Sequence, residues 1–554
     1  MSNNAVFGVT DYVIMIVTMI ASVLIGVYFR FSGGKQKTNE EYLLADRNMS
    51  IFPVAISLMA SFMSAITILG GAAEVYYYGM QFMVINIAVG IVMPVSCYFY
   101  LPVFFGLQKT STYEYLELRF GSQIRLLASF TYTLQMLLYN GIVLYAPAIV
   151  LESVTELDRL ISILAVGLVC TFYSTLGGMK AVLFTDLLQA FLMLGAVVSI
   201  VVFASIQLGG FDKIYLIAKE GGRLNFSNFS VDPTERHTWW SLIIGGFITN
   251  MSLYAVNHTQ VQRLLTVSTL SRSRQCLYWS WPTITVLSLF TGISGLAIYA
   301  VYRECDPLIT GTITASDQIM PYYVVNAMRN VPGLAGLFVA GIFSASLSTI
   351  SASCNALAAV CLTDYIGRWY KLNPDKVPWL TKLIACGFGL VFVALAFLAQ
   401  YLGGLLQAAL TIFGAVGGPL LGVFTLGMFT TFANERGVSV GLITGIALTL
   451  WMSFGGPRPP TLRLPVSVEG CGYNVTIPAP TTDIDYTQYF YLYRISYMWT
   501  STVGFILVLV VGSVVSLLWR HEQPWQKAKR SHPDPALFTP LLANILKKQM
   551  DENK

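Results

Sequence analysis

Charge is scarce in this chain. Asp, Glu, Lys and Arg make up 11% of its 554 residues, against 55% hydrophobic residues. A soluble domain carries about 25% charge, so water is not the main solvent of this fold. Histidine is scarcer still, with four in all. No His-Glu-x-x-His motif, Ser-His-Asp order or phosphate-cradling glycine loop occurs, so enzyme signatures are lacking. The eight cysteines are scattered without metal-ligand spacing. Met1 to Asp11 lacks the basic n-region of a cleavable signal peptide, and the first apolar run reaches Phe31. No soluble domain interrupts the apolar pattern, because the longest loops, 208–238 and 456–494, are too short to build a core of their own. The net charge of +5 is a matter of topology and gives no reason to expect a nucleic-acid partner.

What the chain has is apolar runs long enough to cross a bilayer. There are thirteen: 10–30, 50–79, 81–106, 124–151, 158–177, 182–207, 239–262, 276–302, 332–363, 380–401, 405–431, 437–455 and 495–519. The expected fold class is an all-α polytopic membrane protein with thirteen transmembrane helices. Loops on one face collect Lys109, Arg119, Arg125, Lys180, Arg263, Arg272, Arg274 and Arg368, which the positive-inside rule makes the cytoplasmic face. The N-terminus is then extracellular and the C-terminus cytoplasmic. The outer face holds the acidic turn Glu152–Asp158 and glycosylation sequons at Asn225, Asn228 and Asn474. Cys305 and Cys471 fall in outer loops, where oxidising conditions permit a bridge. They are expected to pair and tie loop 303–331 to loop 456–494. The tail 521–554 is polar and expected to be partly disordered.

Polar groups inside the apolar runs carry the functional signal. Ser344-Ala-Ser-Leu-Ser-Thr-Ile-Ser-Ala-Ser-Cys-Asn355 crowds hydroxyls into a membrane helix. One reading is close helix packing through small residues; the other is a cage of hard oxygens for a hard cation such as Na+. The second run contains Ser57, Ser61, Ser64, Thr67, Gly70-Gly71 and Glu74. It reads either as a discontinuous helix whose freed carbonyls bind ions or as a kinked packing helix. The seventh run gathers Asn257, His258, Gln260 and Gln262 at one end, five runs after the second. That spacing suits two inverted five-helix repeats, each opening on a broken helix. Asp186 lies in the sixth run, roughly 9 Å beyond Lys180. An aspartate there needs a partner, and both Lys180 and a shared cation are open.

Four stretches carry a family resemblance: Tyr42–Met49, Gly177–Asp186, Asn257–Arg263 and the Ser/Thr stretch ending at Asn355. They resemble the sodium/solute symporter family, with its LeuT-like core, over nearly the whole chain. Ala60–Gly70 and Glu74-Val-Tyr76 look like the animal branch of sodium-coupled monocarboxylate, multivitamin and iodide transporters. The resemblance implies a sodium site of the Ala60, Met63 and Ala345 carbonyls with the Ser348 and Thr349 hydroxyls. It implies a further sodium site at Ser61, Asp186, Thr349 and Ser351. The expected substrate path takes Phe62, Thr67, Gln135, Tyr254, Asn257 and His258. Two departures fall near that path: His258 where the family usually has Gln, and Ala72 where the vitamin and iodide relatives have proline.

The resulting expectation is a Na+-coupled symporter of the plasma membrane that imports a small organic anion, a monocarboxylate first. Biotin or pantothenate, iodide, a sugar, or a non-transporting sensor of the same fold are the alternatives. Na+ is the coupling ion, no organic cofactor is expected, and the other partner is the lipid bilayer. The expected organisation is 1–49, N-terminus with the first span and its loop; 50–208, first repeat; 209–238, glycosylatable outer loop; 239–431, second repeat; 432–519, two further spans around loop 456–494; and 520–554, cytoplasmic tail.

Overall fold

The structure is a computed structural model describing residues 7–31, 39–155, 157–328, 331–370, 373, 376–401, 404–472, 485–519 and 533–552. Among them every regular element is helical. In hydrocarbon each backbone N–H and C=O must pair within its own segment, and a helix does so residue by residue. The sequon at Asn474 lies outside the described residues.

The first half consists of α1 (Val9–Phe31), α2 (Ile51–Phe62), α3 (Ala65–Tyr78), α4 (Met80–Leu107), α5 (Ser122–Val154), α6 (Arg159–Phe172) and α7 (Gly178–Leu208). The second half has α8 (Ser241–Val256), α9 (His258–Leu264), α10 (Leu270–Tyr302), α11 (Leu334–Trp369), α12 (Val377–Ala399), α13 (Leu405–Phe429), α14 (Glu435–Phe454) and α15 (Tyr497–Leu518). By length and apolarity ten of the described helices qualify as spans, or eleven when the bent pair α2–α3 counts as one. That is short of the thirteen expected. The shorter α6 and α8 stand where the fifth and seventh runs were placed. Between α6 and α7 the chain turns at Gly178, whose φ of +62° suits glycine because it has no Cβ to clash.

Two breaks organise the bundle. α2 and α3 meet at 60° across Met63 and Ser64. α8 ends in a widened turn, Ser252–Val256, and Asn257 then takes extended backbone (φ −65°, ψ 125°) before α9. The Asn257 side chain accepts from the Thr259 N–H at 3.0 Å, which starts the new helix. These are the first helices of the two repeats.

α11 fills the centre and is buried from Phe338 to Val360. Its hydroxyls therefore face protein and not lipid. Small residues permit that burial: a Cβ on Gly341 would stand 2.5 Å from the Ala196 Cβ on α7. α1 runs along the outside, and its buried Asp11 accepts from the Gly336 N–H at the start of α11 (2.9 Å).

α13 is held at both ends. At its C-terminal end Arg119 donates to the carbonyls of Gly427 (3.0 Å) and Thr430 (2.7 Å). The same guanidinium lies over the Phe538 ring at 4.9 Å. Tyr115 donates to the Leu537 carbonyl at 3.1 Å, and the Thr539 N–H to that of Met428 at 3.0 Å. The tail, expected to be partly disordered, thus docks on the bundle through residues 537–539 and ends in helix α16 (Pro540–Glu552). At the N-terminal end the buried Asp317 accepts from the Leu405 N–H, the first of α13, at 2.8 Å.

Cys305 and Cys471 are joined by a disulfide. Two backbone bonds flank it, Asp306 N–H to the Ser467 carbonyl (3.0 Å) and Gly470 N–H to that of Glu304 (2.9 Å). Tyr76 at the end of α3 donates to Asp306 at 2.8 Å, so the bridge is tied to the broken helix. Of the two described sequons, Asn225 is exposed. Asn228 uses its amide nitrogen on Glu235 (2.7 Å) and the His237 carbonyl (3.1 Å).

Two outcomes are expected. Peptide mass spectrometry without reduction will recover Cys305 linked to Cys471, and the double Cys→Ser variant will lose about 2–4 kcal/mol of stability; two free thiols in the wild type would contradict the bridge. Burial pushes the Asp317 carboxyl up from 3.8 to about 6. A raised carboxyl favours the protonated fold, so its stabilising contribution is present at pH 4 and lost as pH rises through 6. Melting in detergent should show the wild type losing stability relative to Asp317→Asn across that window; a constant difference would exclude the assignment.

Candidate functional site

The site begins with the carbonyls that the α2–α3 break deprives of helix partners. In a continuous helix the Ser64 N–H would reach the Ala60 carbonyl; here it bonds to Phe62 at 2.9 Å. The Ser61 carbonyl accepts instead from the Thr349 hydroxyl of α11 at 3.2 Å, and that hydroxyl also reaches Ala345 at 3.0 Å. α11 therefore stands directly against the break, with Ser61, Met63 and Thr349 on one cavity wall. The remaining hydroxyls of α11 diverge. Ser351 donates to the Ser348 carbonyl (3.1 Å), Ser353 to that of Thr349 (2.8 Å), and Ser346 to that of Val143 on α5 (3.0 Å). Of the five residues expected at the sodium site, Ala60 and Met63 flank the break, Ala345 and Thr349 face it, and the Ser348 hydroxyl is turned elsewhere.

Ser348 donates to Asp186 at 2.6 Å, and Ser57 of α2 to the same carboxylate at 2.5 Å. The charged partner of Asp186 is Arg263, at 3.0 Å, both side chains being fully buried. Neither sequence-level alternative named this residue. Lys180 instead lies 6.0 Å from the Phe29 ring centroid. Of the residues expected at the further sodium site, Ser61 and Thr349 adjoin, Ser351 bonds within its own helix, and Asp186 is engaged by Ser57, Ser348 and Arg263. Arg263 had been counted as a cytoplasmic loop charge. The signal that could have found it was Asp186 itself, which required a counter-charge.

The cavity beside the break holds about 100 Å3. Phe62, Thr67 and Asn257, all expected on the substrate path, line it together with Gln260, Asn250, Asn86 and Tyr139. Gln260 donates to the Ser61 hydroxyl at 3.0 Å, joining the two broken helices. Tyr139 donates to Ser64 at 3.2 Å. Gln135 borders a smaller adjoining space with Asn257. Tyr254 packs on Phe62, ring centroids 5.5 Å apart, and does not line the cavity. His258 is a correction: its ring lies among Tyr113 and Tyr132, and its Nδ1 accepts from the Thr112 N–H at 3.4 Å, away from the cavity. Ala72 is another, because its backbone packs against Gly295 of α10, where an added Cβ would stand 2.4 Å from the Ala72 carbonyl oxygen. The sequence reading missed Phe82, Asn86, Tyr139 and Phe413 on the cavity wall.

Chemically, the cavity offers amides and hydroxyls at the break and aromatic rings elsewhere. None of its lining residues among those described is cationic. Nor do the described residues contain a cluster of three His, Cys, Asp or Glu fit to hold a metal ion.

A model of the Sodium:solute symporter family matches residues 42–445. A Drosophila melanogaster protein with the provisional name sodium-dependent multivitamin transporter is 49% identical over 98% of this chain and 93% of its own. Sodium-coupled monocarboxylate transporter 1 of Homo sapiens is 42% identical over 92% and 87%, and that of Mus musculus 43% over the same shares. Among solved structures, a substrate-bound, outward-open Na+-coupled sialic acid symporter superposes with a TM-score of 0.78 at 24% identity, covering 92% of this chain and 98% of that one. The fold is thus the all-α, LeuT-like one that the broken helices implied, and this chain belongs to the sodium:solute symporter family.

Proposed function

We propose that this chain is a Na+-coupled symporter that imports a small monocarboxylate across the plasma membrane by alternating access. The observation that carries the reading is the cavity wall. An anion there meets Asn, Gln, Ser and Thr donors but no cationic side chain among the described lining residues. A carboxylate taken out of water without a counter-charge costs several kcal/mol. A co-bound Na+ removes that cost, so ion and substrate favour each other's binding. The proposed sodium ligands are the carbonyls of Ala60, Met63 and Ala345 and the hydroxyls of Thr349 and Ser348, the last of which must leave Asp186 to reach the ion. A further site, at Ser61, Asp186, Thr349 and Ser351, would serve as the ion leaves toward the cytoplasm, which requires Asp186 to exchange Arg263 for the cation. Na+ entering from outside links α2 at its break to α11, and the bundle then rocks against its scaffold. Each net charge carried inward contributes about 2.3 kcal/mol per 100 mV.

The vitamin reading is favoured by the 49% identity to the Drosophila relative. Cavity size favours the smaller anion: at about 10–15 Å3 per water-sized probe position, a cavity of about 100 Å3 suits a handful of heavy atoms.

Uptake in a heterologous cell decides between them. Labelled lactate should enter in Na+ and not in choline, and biotin and pantothenate should compete weakly; saturable biotin uptake without lactate uptake would overturn the monocarboxylate reading. Thr349→Ala should raise the Na+ concentration for half-maximal uptake about tenfold, equivalent to about 1.4 kcal/mol, with surface expression retained. Wild-type sodium dependence would show that Thr349 is no ligand.

Asp186→Asn leaves Arg263 buried without its counter-charge, at a cost of about 3–5 kcal/mol. Surface expression should fall, Asp186→Asn with Arg263→Gln should recover part of it, and Lys180→Met should change nothing. Normal expression of Asp186→Asn with altered Na+ cooperativity would instead make a cation the dominant partner.

A further inference from the structure

Outside the central cavity, a vestibule of about 700 Å3 opens on the face assigned to the exterior. Its floor is an ion-pair cluster. Arg236 donates to both Glu74 oxygens at 2.6 and 3.0 Å and to Gln407 of α13 at 3.0 Å. His237 stands 3.1 Å from the same carboxylate. Glu74 thereby satisfies Arg236 and joins α3 to the vestibule floor. Gln407 and Thr411 of α13 face the vestibule while Leu406 and Leu410 face the central cavity, so one helix wall separates the two spaces.

Three further arginines line the vestibule: Arg458, Arg463 and Arg494. Arg458 donates to the Gly455 carbonyl at 3.1 Å and to that of Met452. Arg463 lies over the Tyr77 ring at 4.9 Å. Arg494 sits between Tyr486 and Tyr491, at 5.6 and 5.7 Å, and its buried Nε has no hydrogen-bond partner. Among the described residues none of the three has a carboxylate within 4.0 Å. Of the acidic side chains on the wall, Glu235 accepts from Asn228 at 2.7 Å, and Asp232, which accepts from Thr234 at 2.8 Å, acts on Arg494 only as a neighbouring charge beyond ion-pair distance. Aromatic and carbonyl contacts position a guanidinium but leave its charge uncompensated, and a guanidinium fork matches a carboxylate.

We propose that this vestibule is a second anion-binding site, in which Arg458, Arg463 and Arg494 hold a small carboxylate at the outer face. Its part in import, capture before entry to the central cavity, rests on the anionic-substrate reading above. Arginines with no ion-pair partner among the described residues raise the local concentration of anions and their rate of encounter. Because the site lies above the broken helices, it binds without sodium.

Arginine modification tests it directly. The purified full-length protein is treated with phenylglyoxal in sodium-free choline chloride at fixed ionic strength, and peptide mass spectrometry follows labelling at the three arginines. Lactate at about twice its dissociation constant should slow labelling about threefold, while neutral 1,2-propanediol should not. Unchanged rates across the millimolar range, or equal slowing by the neutral diol, overturn the site. In cells, Arg463→Gln with Arg494→Gln should raise the KM for lactate at least about threefold, with maximal rate and sodium dependence retained, since steering charges act on encounter; an unchanged KM overturns the capture role. Labelling is read without sodium or transport. Protection without lactate uptake therefore retains the site and removes the substrate reading, and uptake without protection does the reverse.

Discussion

A backbone carbonyl that loses its helix partner in the middle of a bilayer has to find another. Most of this architecture answers to that constraint. The break at Met63 and Ser64 turns the Ser64 N–H away from Ala60 and exposes the Ser61 carbonyl, which Thr349 reaches. For Thr349 to be there, α11 must pass close to the break, and so it is small, hydroxyl-rich and buried on all sides. Close packing and ion chemistry, which look like rival explanations of the serine stretch, are one requirement, since the residues that let α11 approach also bring oxygens to the break.

Hydropathy made the spans readable, because lipid punishes any lapse in apolarity over some twenty residues. The second break was readable too, as polar density around Asn257. What lay beyond the break was not. Spacing rules assume one continuous helix, and the extended backbone at Asn257 resets the register. The family resemblance placed His258 near the substrate path, whereas beyond the break it faces Tyr113 and Tyr132. The same break draws Arg263 inward, while a rule that counts basic residues near span ends assigns it to the cytoplasm. The cavity wall from α4 was invisible for another reason: an almost wholly apolar run has no polar stripe to show which face looks inward. Cys305 and Cys471 were legible because a polytopic chain offers few long outer loops. The docked tail was not, since its anchors, Arg119 and Tyr115, lie more than 400 residues earlier.

Charge is distributed by depth. Among the described residues lining the vestibule, arginines outnumber carboxylates. At the central cavity fixed cationic side chains vanish from the described wall. Deeper still, Asp186 and Arg263 neutralise each other in full burial. The anion of the proposed function would pass from fixed positive charge to a zone that supplies none, where the proposed coupling ion brings the charge instead. A permanent arginine in the central cavity would bind the anion without sodium and uncouple the two.

The docking of residues 537–539 also has a genetic meaning. By hydropathy the open reading frame could stop after the last span at no cost, and a nonsense change there would look benign. Arg119 is buried with an aromatic lid that the tail supplies, and the C-terminal end of α13 is closed by the same segment. Early termination would therefore strip the cover from a buried guanidinium and loosen one anchor of the helix that walls both the cavity and the vestibule. Alleles truncated between Trp519 and Leu537 belong with missense changes in the core, although every span among the described residues is kept.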